Sequence, residues 1–322
     1  MQLPEASIVV ALCAALAGCS ASPAPAPAQP EPTVQPGIRG ADPGDAGATA
    51  DQEAAAARWL PDPDAVLPRA PDRLAERLTR TAPELFAAVD RWRASGRTDE
   101  WPPPREVVVL ALDLQRSVQT LAPDPRRREA TVAALPPKVR PVVRDAAEAG
   151  AALYAGMGRV TTTEPITMRT RAPSPPDALL GYYREAARRF DVPWTLLAAV
   201  HFMETKFGRV VSNSWAGAQG PMQFIPSTWD AYGMGGDIRD TRDAIHGAAN
   251  YLSANGAPHD LRGALWAYNP VAYYGEAVRR YERQMRRDER MFYAFYNWQV
   301  FVRTADGAVQ LTGPGADVRS ST

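Results

Sequence analysis

Residues 191–208 read Asp-Val-Pro-Trp-Thr-Leu-Leu-Ala-Ala-Val-His-Phe-Met-Glu-Thr-Lys-Phe-Gly, a mostly apolar stretch of helical length that begins with Asp191 and carries a second carboxylate, Glu204, in its last turn. Asp191 is placed to cap the start of this helix, Pro193 fits its first turn and Gly208 can close it. Counting back three, four and seven residues from Glu204 gives His201, Val200 and Leu197, and Phe207 lies three ahead, so the carboxylate interrupts a mostly apolar stripe. Burial among such neighbours and the negative pole of the helix C-terminus both disfavour the ionised form, which is how a general acid is made. On this helix alone a second reading stays open: a helix-end Glu that reaches water or pairs with Lys206, Arg209 or His201.

Three further motifs follow in order: Gly217-Ala-Gln-Gly220-Pro-Met-Gln223 running into Pro226-Ser-Thr228, then Ala248-Ala-Asn-Tyr251-Leu252, then Tyr268-Asn269. Together with Glu204-Thr205 they resemble the lysozyme-like lytic transglycosylases, a family that cleaves peptidoglycan, over roughly residues 177 to 312. The resemblance implies that Glu204 protonates the glycosidic oxygen between N-acetylmuramic acid and N-acetylglucosamine. It implies that Ser214 and Gln223 line the sugar cleft, and that Tyr268 and Asn269 close the site beside the acid, where the phenol can hold Glu204. It also implies one carboxylate serving as acid and then base, with the muramyl C6 hydroxyl as nucleophile and a 1,6-anhydro product. A muramidase that passes the intermediate to water and a non-catalytic peptidoglycan-binding protein are the alternatives.

The residues support a sugar site without the family. Gly217 and Gly220 let backbone approach a ligand closely, and the Gln223 amide both donates and accepts. A glycine-rich turn between helices is the plainer reading of the same loop. Ordinary glycosidases place a second carboxylate across the bond. Here Asp240 reads as a helix N-cap with Asp243 in its first turn, and Asp237 follows a Gly-Gly turn. Trp215, Trp229, Tyr232, Tyr251, Trp266, Tyr268, Tyr273 and Tyr274 are dense around these motifs; most are expected in the core, with Trp215 beside the glycine loop the subsite candidate. His201 and Glu204 stand three apart, but with His246 and His259 the only other histidines no zinc spacing forms, so neither a metal nor a cofactor is expected.

At the amino terminus an apolar run, Ile8 to Leu16, leads into Leu16-Ala-Gly-Cys19-Ser20, which resembles a lipobox whose cysteine, Cys19, is acylated. The segment ahead of that run holds no Lys or Arg and contains Glu5, a departure from the usual signal. Residues 1–19 are thus expected as a lipoprotein signal peptide and residues 20–58, rich in Ala, Pro and Gly, as an extended tether. Cys13 lies within the signal, so the mature chain would keep no thiol for a disulfide, and it is expected outside the cytoplasm, anchored to a membrane through its lipid.

From 59 to 160 the apolar periodicity is helical, with breaks at Pro83, Gly96, Pro102 to Pro104, Pro123 and Pro136-Pro137, which predicts an accessory bundle of four or five helices. A spacer, a docking surface for cell-wall proteins and a specificity element all fit it. Residues 166–314 are expected as the lysozyme-like domain, with closing helices over Val271 to Met285 and Asp288 to Asn297. Beyond them, Trp298 to Thr304 and Ala308 to Thr312 flank Ala305-Asp-Gly307 as a hairpin, to which Ile166 to Thr170 could add a strand. The fold class expected from these patterns is mainly α with a small C-terminal β-hairpin, and the resemblance implies a lysozyme-like catalytic domain behind the α-helical accessory domain. The 36 basic and 36 acidic residues balance, which argues for no nucleic-acid partner.

Overall fold

The computed structural model describes residues 59–156, 168–304, 307–314 and 316. The proposed signal, Cys19 and the tether lie outside the described residues. Eleven helices are found among them: α1 (Pro71–Ala94), α2 (Arg105–Gln119), α3 (Pro125–Ala134), α4 (Arg140–Gly156), α5 (Pro176–Phe190), α6 (Trp194–Thr205), α7 (Pro226–Tyr232), α8 (Thr241–Ala254), α9 (Leu261–Tyr268), α10 (Ala272–Arg287) and α11 (Arg290–Tyr296). A two-stranded antiparallel sheet follows, β1 (Phe301–Thr304) and β2 (Gly307–Gln310), with Phe301 opposite Gln310 and Thr304 opposite Gly307. No described helix is long and apolar enough to cross a membrane.

Helix α6 is the centre of the C-terminal half. All its residues from Thr195 to Thr205 are buried, so it presents apolar surface on every side and other helices must surround it. α5, α8, α10 and α11 do so. Phe202 on α6 stacks on Phe295 and meets Tyr281 and Trp298 edge-on, which joins α6, α10, α11 and the entry to the hairpin in one aromatic cluster. Asp124, Asp240 and Asp260 cap α3, α8 and α9 by accepting from the amides of Arg127, Asp243 and Gly263.

Gly96, Pro102 to Pro104, Pro123 and Pro136-Pro137 all fall between helices, but Pro83 does not end one: α1 runs through it. An internal proline costs about 3 kcal/mol. Pro83 is on the exposed face, however, while Leu74, Leu78, Leu85, Val89 and Trp92 are buried on the other, and their burial holds the helix together across the missing bond. Asp191 does not cap α6 either. It ends α5 in the left-handed conformation, φ 54°, and Pro193 takes the N-cap place. The Ile166 to Thr170 segment lies partly outside the described residues, and Thr170 pairs with Val210, just past α6, instead of with the hairpin.

From Pro61 onward the described residues form one compact unit. α4 lies along α10, and Asp145, 5% exposed, takes Arg283 at 2.6 Å and Arg287 at 2.7 Å, with Arg280 at 3.6 Å. Gln115 of α2 exchanges two hydrogen bonds with the backbone of Gln299, and Thr98 and Tyr293 share the Asp177 carboxylate. The Asp145→Ala variant would leave three arginines facing one another and is expected to cost about 2 kcal/mol, since the guanidiniums are partly solvated. That corresponds to a melting temperature lower by roughly 4–8 °C. An unchanged melting temperature would mean that water and Glu148 satisfy the arginines equally well.

Candidate active site

The end of α6 is shaped by three consecutive left-handed residues, Lys206, Phe207 and Gly208, at φ 52°, 61° and 80°. The Lys206 and Phe207 amides return to the carbonyls of Phe202 and His201, which closes the helix in a Schellman-like turn. The turn drives Thr205 inward. Its hydroxyl donates to the Pro221 carbonyl at 2.6 Å and accepts from the Gly208 amide at 2.9 Å. The residue next to Glu204 thus fastens the glycine loop to the helix.

That loop is a tight structure of its own. Gln219 and Phe224 exchange backbone hydrogen bonds, and Gly220, at φ 75°, sits so close to the Ile238 carbonyl that a Cβ would lie 1.8 Å from its oxygen. Only glycine fits there. Ser214 closes the preceding turn, its hydroxyl accepting from the Ala218 amide, and leaves Trp215 69% exposed at the tip. Gln223, at φ 50°, turns its side-chain amide back to the Gly220 carbonyl at 2.9 Å, so its Nε2 is spent within the loop while its buried Oε1 has no partner.

Glu204 is wholly buried. Its Oε1 accepts from the Tyr274 hydroxyl at 2.6 Å, and its Oε2 is buried without a partner. Burial pushes its carboxyl up to about 8, against the opposing pull of the Tyr274 phenol and the Lys206 ammonium. No other carboxylate among the described residues contributes to that shift. The aspartates near in sequence have structural roles: Asp240 caps α8, Asp237 accepts from the Arg239 amide, and Asp243 accepts from that of Asp237.

The phenol that holds Glu204 is therefore that of Tyr274, on α10, and not that of Tyr268. The Tyr268 hydroxyl donates to the Met222 carbonyl at 2.6 Å and so supports the glycine loop from below. Tyr274 was among the rings expected simply in the core. It is buried there, and its hydroxyl also does the work assigned to Tyr268. His201 is also buried but faces Tyr183, whose hydroxyl lies 2.6 Å from its Nδ1, and burial pushes its imidazole down to about 3, so it stays neutral.

The remaining candidates divide. Gln223 and Tyr268 line a cavity of only about 20 Å³ with Tyr251 and Thr228. Asn269, 2% exposed, lines a separate open groove of about 450 Å³ with Trp266, which is 56% exposed and not in the core.

Comparison with known proteins gives one family: residues 210–267 match the Transglycosylase SLT domain. The matched segment contains Ser214, Trp215, Gln223 and Tyr251, and Glu204, Tyr268, Asn269 and Tyr274 flank it. Neither curated proteins nor solved structures give a significant match. This segment, set beside a buried Glu at the end of a central helix, supports a lytic transglycosylase of the lysozyme-like superfamily.

Proposed function

We propose that the protein is a peptidoglycan lytic transglycosylase that cleaves the β-1,4 bond between N-acetylmuramic acid and N-acetylglucosamine with Glu204 as acid and then base. The observation that carries this reading is a wholly buried carboxyl, pushed up to about 8 by burial and held by one phenol, beside a transglycosylase domain and with no other carboxylate among the described residues contributing to that shift. Glu204 transfers its proton to the leaving O4 as the bond from muramyl C1 breaks. The resulting carboxylate removes the proton from the muramyl C6 hydroxyl, whose oxygen attacks C1 and closes the 1,6-anhydro ring. The proton returns to Glu204 and no water is consumed.

Each neighbour has a part in this cycle. Tyr274 keeps Oε1 fixed and stabilises the carboxylate formed between the two proton transfers. Oε2, which has no partner among the described residues, is the oxygen left for the substrate. Because Glu204 has no exposed surface, a sugar reaches Oε2 only when the side chains above it part. Ser214, Gln223 and Trp215 are proposed to hold the glycan around the glycine loop, and Asn269 to bind substrate from the separate groove it lines. The Cys19 lipid and the 20–58 tether would place the enzyme at a membrane surface within reach of the wall.

The test is incubation of the full-length protein with purified peptidoglycan and mass analysis of the released fragments. Muropeptides one water lighter than their reducing counterparts are expected. Reducing ends would make the protein a muramidase, and glycan binding without release would make it a binding protein.

A further inference from the structure

Arg209 closes the turn after Glu204 and is a buried charge. Its backbone amide returns to the Lys206 carbonyl at 3.4 Å, and the next amide, of Val210, returns to the Thr205 carbonyl at 3.0 Å. Only 4% of Arg209 is exposed, and no carboxylate pairs with it among the described residues. Burial pulls its guanidinium down to about 10, and its Nε has no partner. An apolar side chain would fill the same space at less cost. What the guanidinium adds is direction. Its Nη2 donates to the Tyr296 carbonyl at 2.7 Å, and the flat group lies against two rings, 5.2 Å from the centroid of Trp101 and 5.6 Å from that of Tyr296.

The two rings come from distant parts of the chain. Tyr296 ends α11, whereas Trp101 stands in the loop between α1 and α2. Trp101 is 49% exposed, so its ring covers the guanidinium while half of it stays in solvent. A second line of contact runs beside the first. Trp92 of α1 lies 6.3 Å from the Tyr296 ring, and Tyr296 lies 6.2 Å from Phe207, the left-handed residue in the middle of the turn. Both lines start at α1 or the loop after it and end in the turn that follows Glu204. The titratable and charged groups that act on the Glu204 carboxyl are Tyr274, Lys206 and Tyr268, and none of them belongs to α1, α2 or their loop. Whatever these N-terminal helices do to Glu204 therefore passes through the position of the turn.

We propose that Trp101 and Arg209 are positioning residues for the reaction: stacked on one another, they lock the turn after Glu204 against α11, so that the N-terminal helices aim the acid. The proposal rests on the reading of Glu204 as the acid of peptidoglycan cleavage. Glu204 sits in the last turn of α6, and a small displacement of a reacting group costs much of its rate, so a shift of the turn that ends the helix is felt directly in turnover. The turn also keeps water from the carboxyl, since Thr205 and Phe207 are buried with it. Removing the Trp101 ring opens Arg209 to water and loosens the turn, which brings Glu204 back toward its ordinary ionisation. That direction is opposite to the effect of losing the Tyr274 phenol, whose hydrogen bond favours the ionised form.

Full-length wild type, Trp101→Ala, Trp101→Phe and Arg209→Met are compared in two measurements. In the first, kcat and KM on solubilised peptidoglycan strands are followed against pH. Trp101→Ala is expected to lower kcat about tenfold with KM nearly unchanged, and to move the alkaline limb of kcat/KM to lower pH. Trp101→Phe, which keeps a ring over the guanidinium, should restore both. Arg209→Met removes an unpaired buried charge, so it should melt close to wild type and still show the loss of kcat. In the second, the Glu204 carboxyl carbon, assigned by its absence from Glu204→Gln, is titrated by nuclear magnetic resonance. Its midpoint in Trp101→Ala should lie below that of wild type. Thermal melting confirms that each variant is folded. A raised KM with kcat and limb unchanged, as a sugar stacked on the exposed part of Trp101 would give, overturns the proposal, and so does a Trp101→Ala protein that matches wild type in both measurements. A lowered midpoint in a protein whose wild type cleaves nothing would keep the positioning of Glu204 by this pair and remove the enzymatic reading.

Discussion

The Glu204→Gln variant is expected to lose peptidoglycan cleavage by on the order of 10³-fold, the scale of a lost general acid, while still binding glycan. Gln keeps the shape and a partner for the Tyr274 hydroxyl, but it has no proton to give. The pH dependence of the wild type follows from the same group. With the carboxyl held up to about 8 by burial, the active, protonated form dominates below that pH, so kcat/KM should fall above it along an alkaline limb. The same shift bears on stability, with a definite sign. The folded state retains a proton that the unfolded state releases near its ordinary value of 4.5, so stability falls as pH rises from about 4.5 to about 8 and levels off beyond. The total is on the order of a few kcal/mol. The Gln variant lacks this term, so the gap in melting temperature between variant and wild type should widen from pH 5 to pH 8. A wild-type profile that keeps rising through pH 9, or a gap that stays constant, would show that Glu204 is ionised in the resting fold and is not the acid.

Glu204 stood out in the sequence because a carboxylate in an apolar stripe is an anomaly that local pattern detects. The helix boundaries at Gly96, Pro123 and Pro136-Pro137 were evident for the same reason, since a glycine or proline acts on its own backbone. Pro83 behaved otherwise because burial of the opposite face, a tertiary quantity, outweighs the local cost. Asp191 misled because the residue type that caps a helix start also tolerates the left-handed position that ends the previous helix. The Thr170–Val210 pairing is set by where the turn after Glu204 directs the chain. Tyr274 is the instructive case. It lies six residues beyond Tyr268 in a run dense with rings, and nothing in spacing distinguishes a tyrosine that only fills the core from one whose hydroxyl meets a buried carboxylate. The separating fact is the rotation of α10, which brings the Tyr274 hydroxyl to Glu204 across 70 residues of chain.

The Tyr274→Phe variant is accordingly expected to lower kcat by roughly 10²-fold, the scale of removing one donor aimed at a developing negative charge. The ring remains, so packing around α10 is preserved, and the change isolates one hydrogen bond. The phenol favours the ionised carboxyl by donating to it; without it the Glu204 carboxyl should move further up, and the alkaline limb of kcat/KM with it. Slower turnover with a limb at higher pH is thus a combined signature that simple destabilisation does not produce. Tyr268→Phe supplies the contrast. Its hydroxyl supports the Met222 carbonyl in the glycine loop, so the loss should appear mainly in KM and in melting temperature, with the limb unmoved. If instead Tyr268→Phe shifts the limb and Tyr274→Phe does not, the hydrogen bond that governs the acid during turnover is the one expected from the Tyr-Asn motif, and the side chains around Glu204 rearrange when the substrate enters.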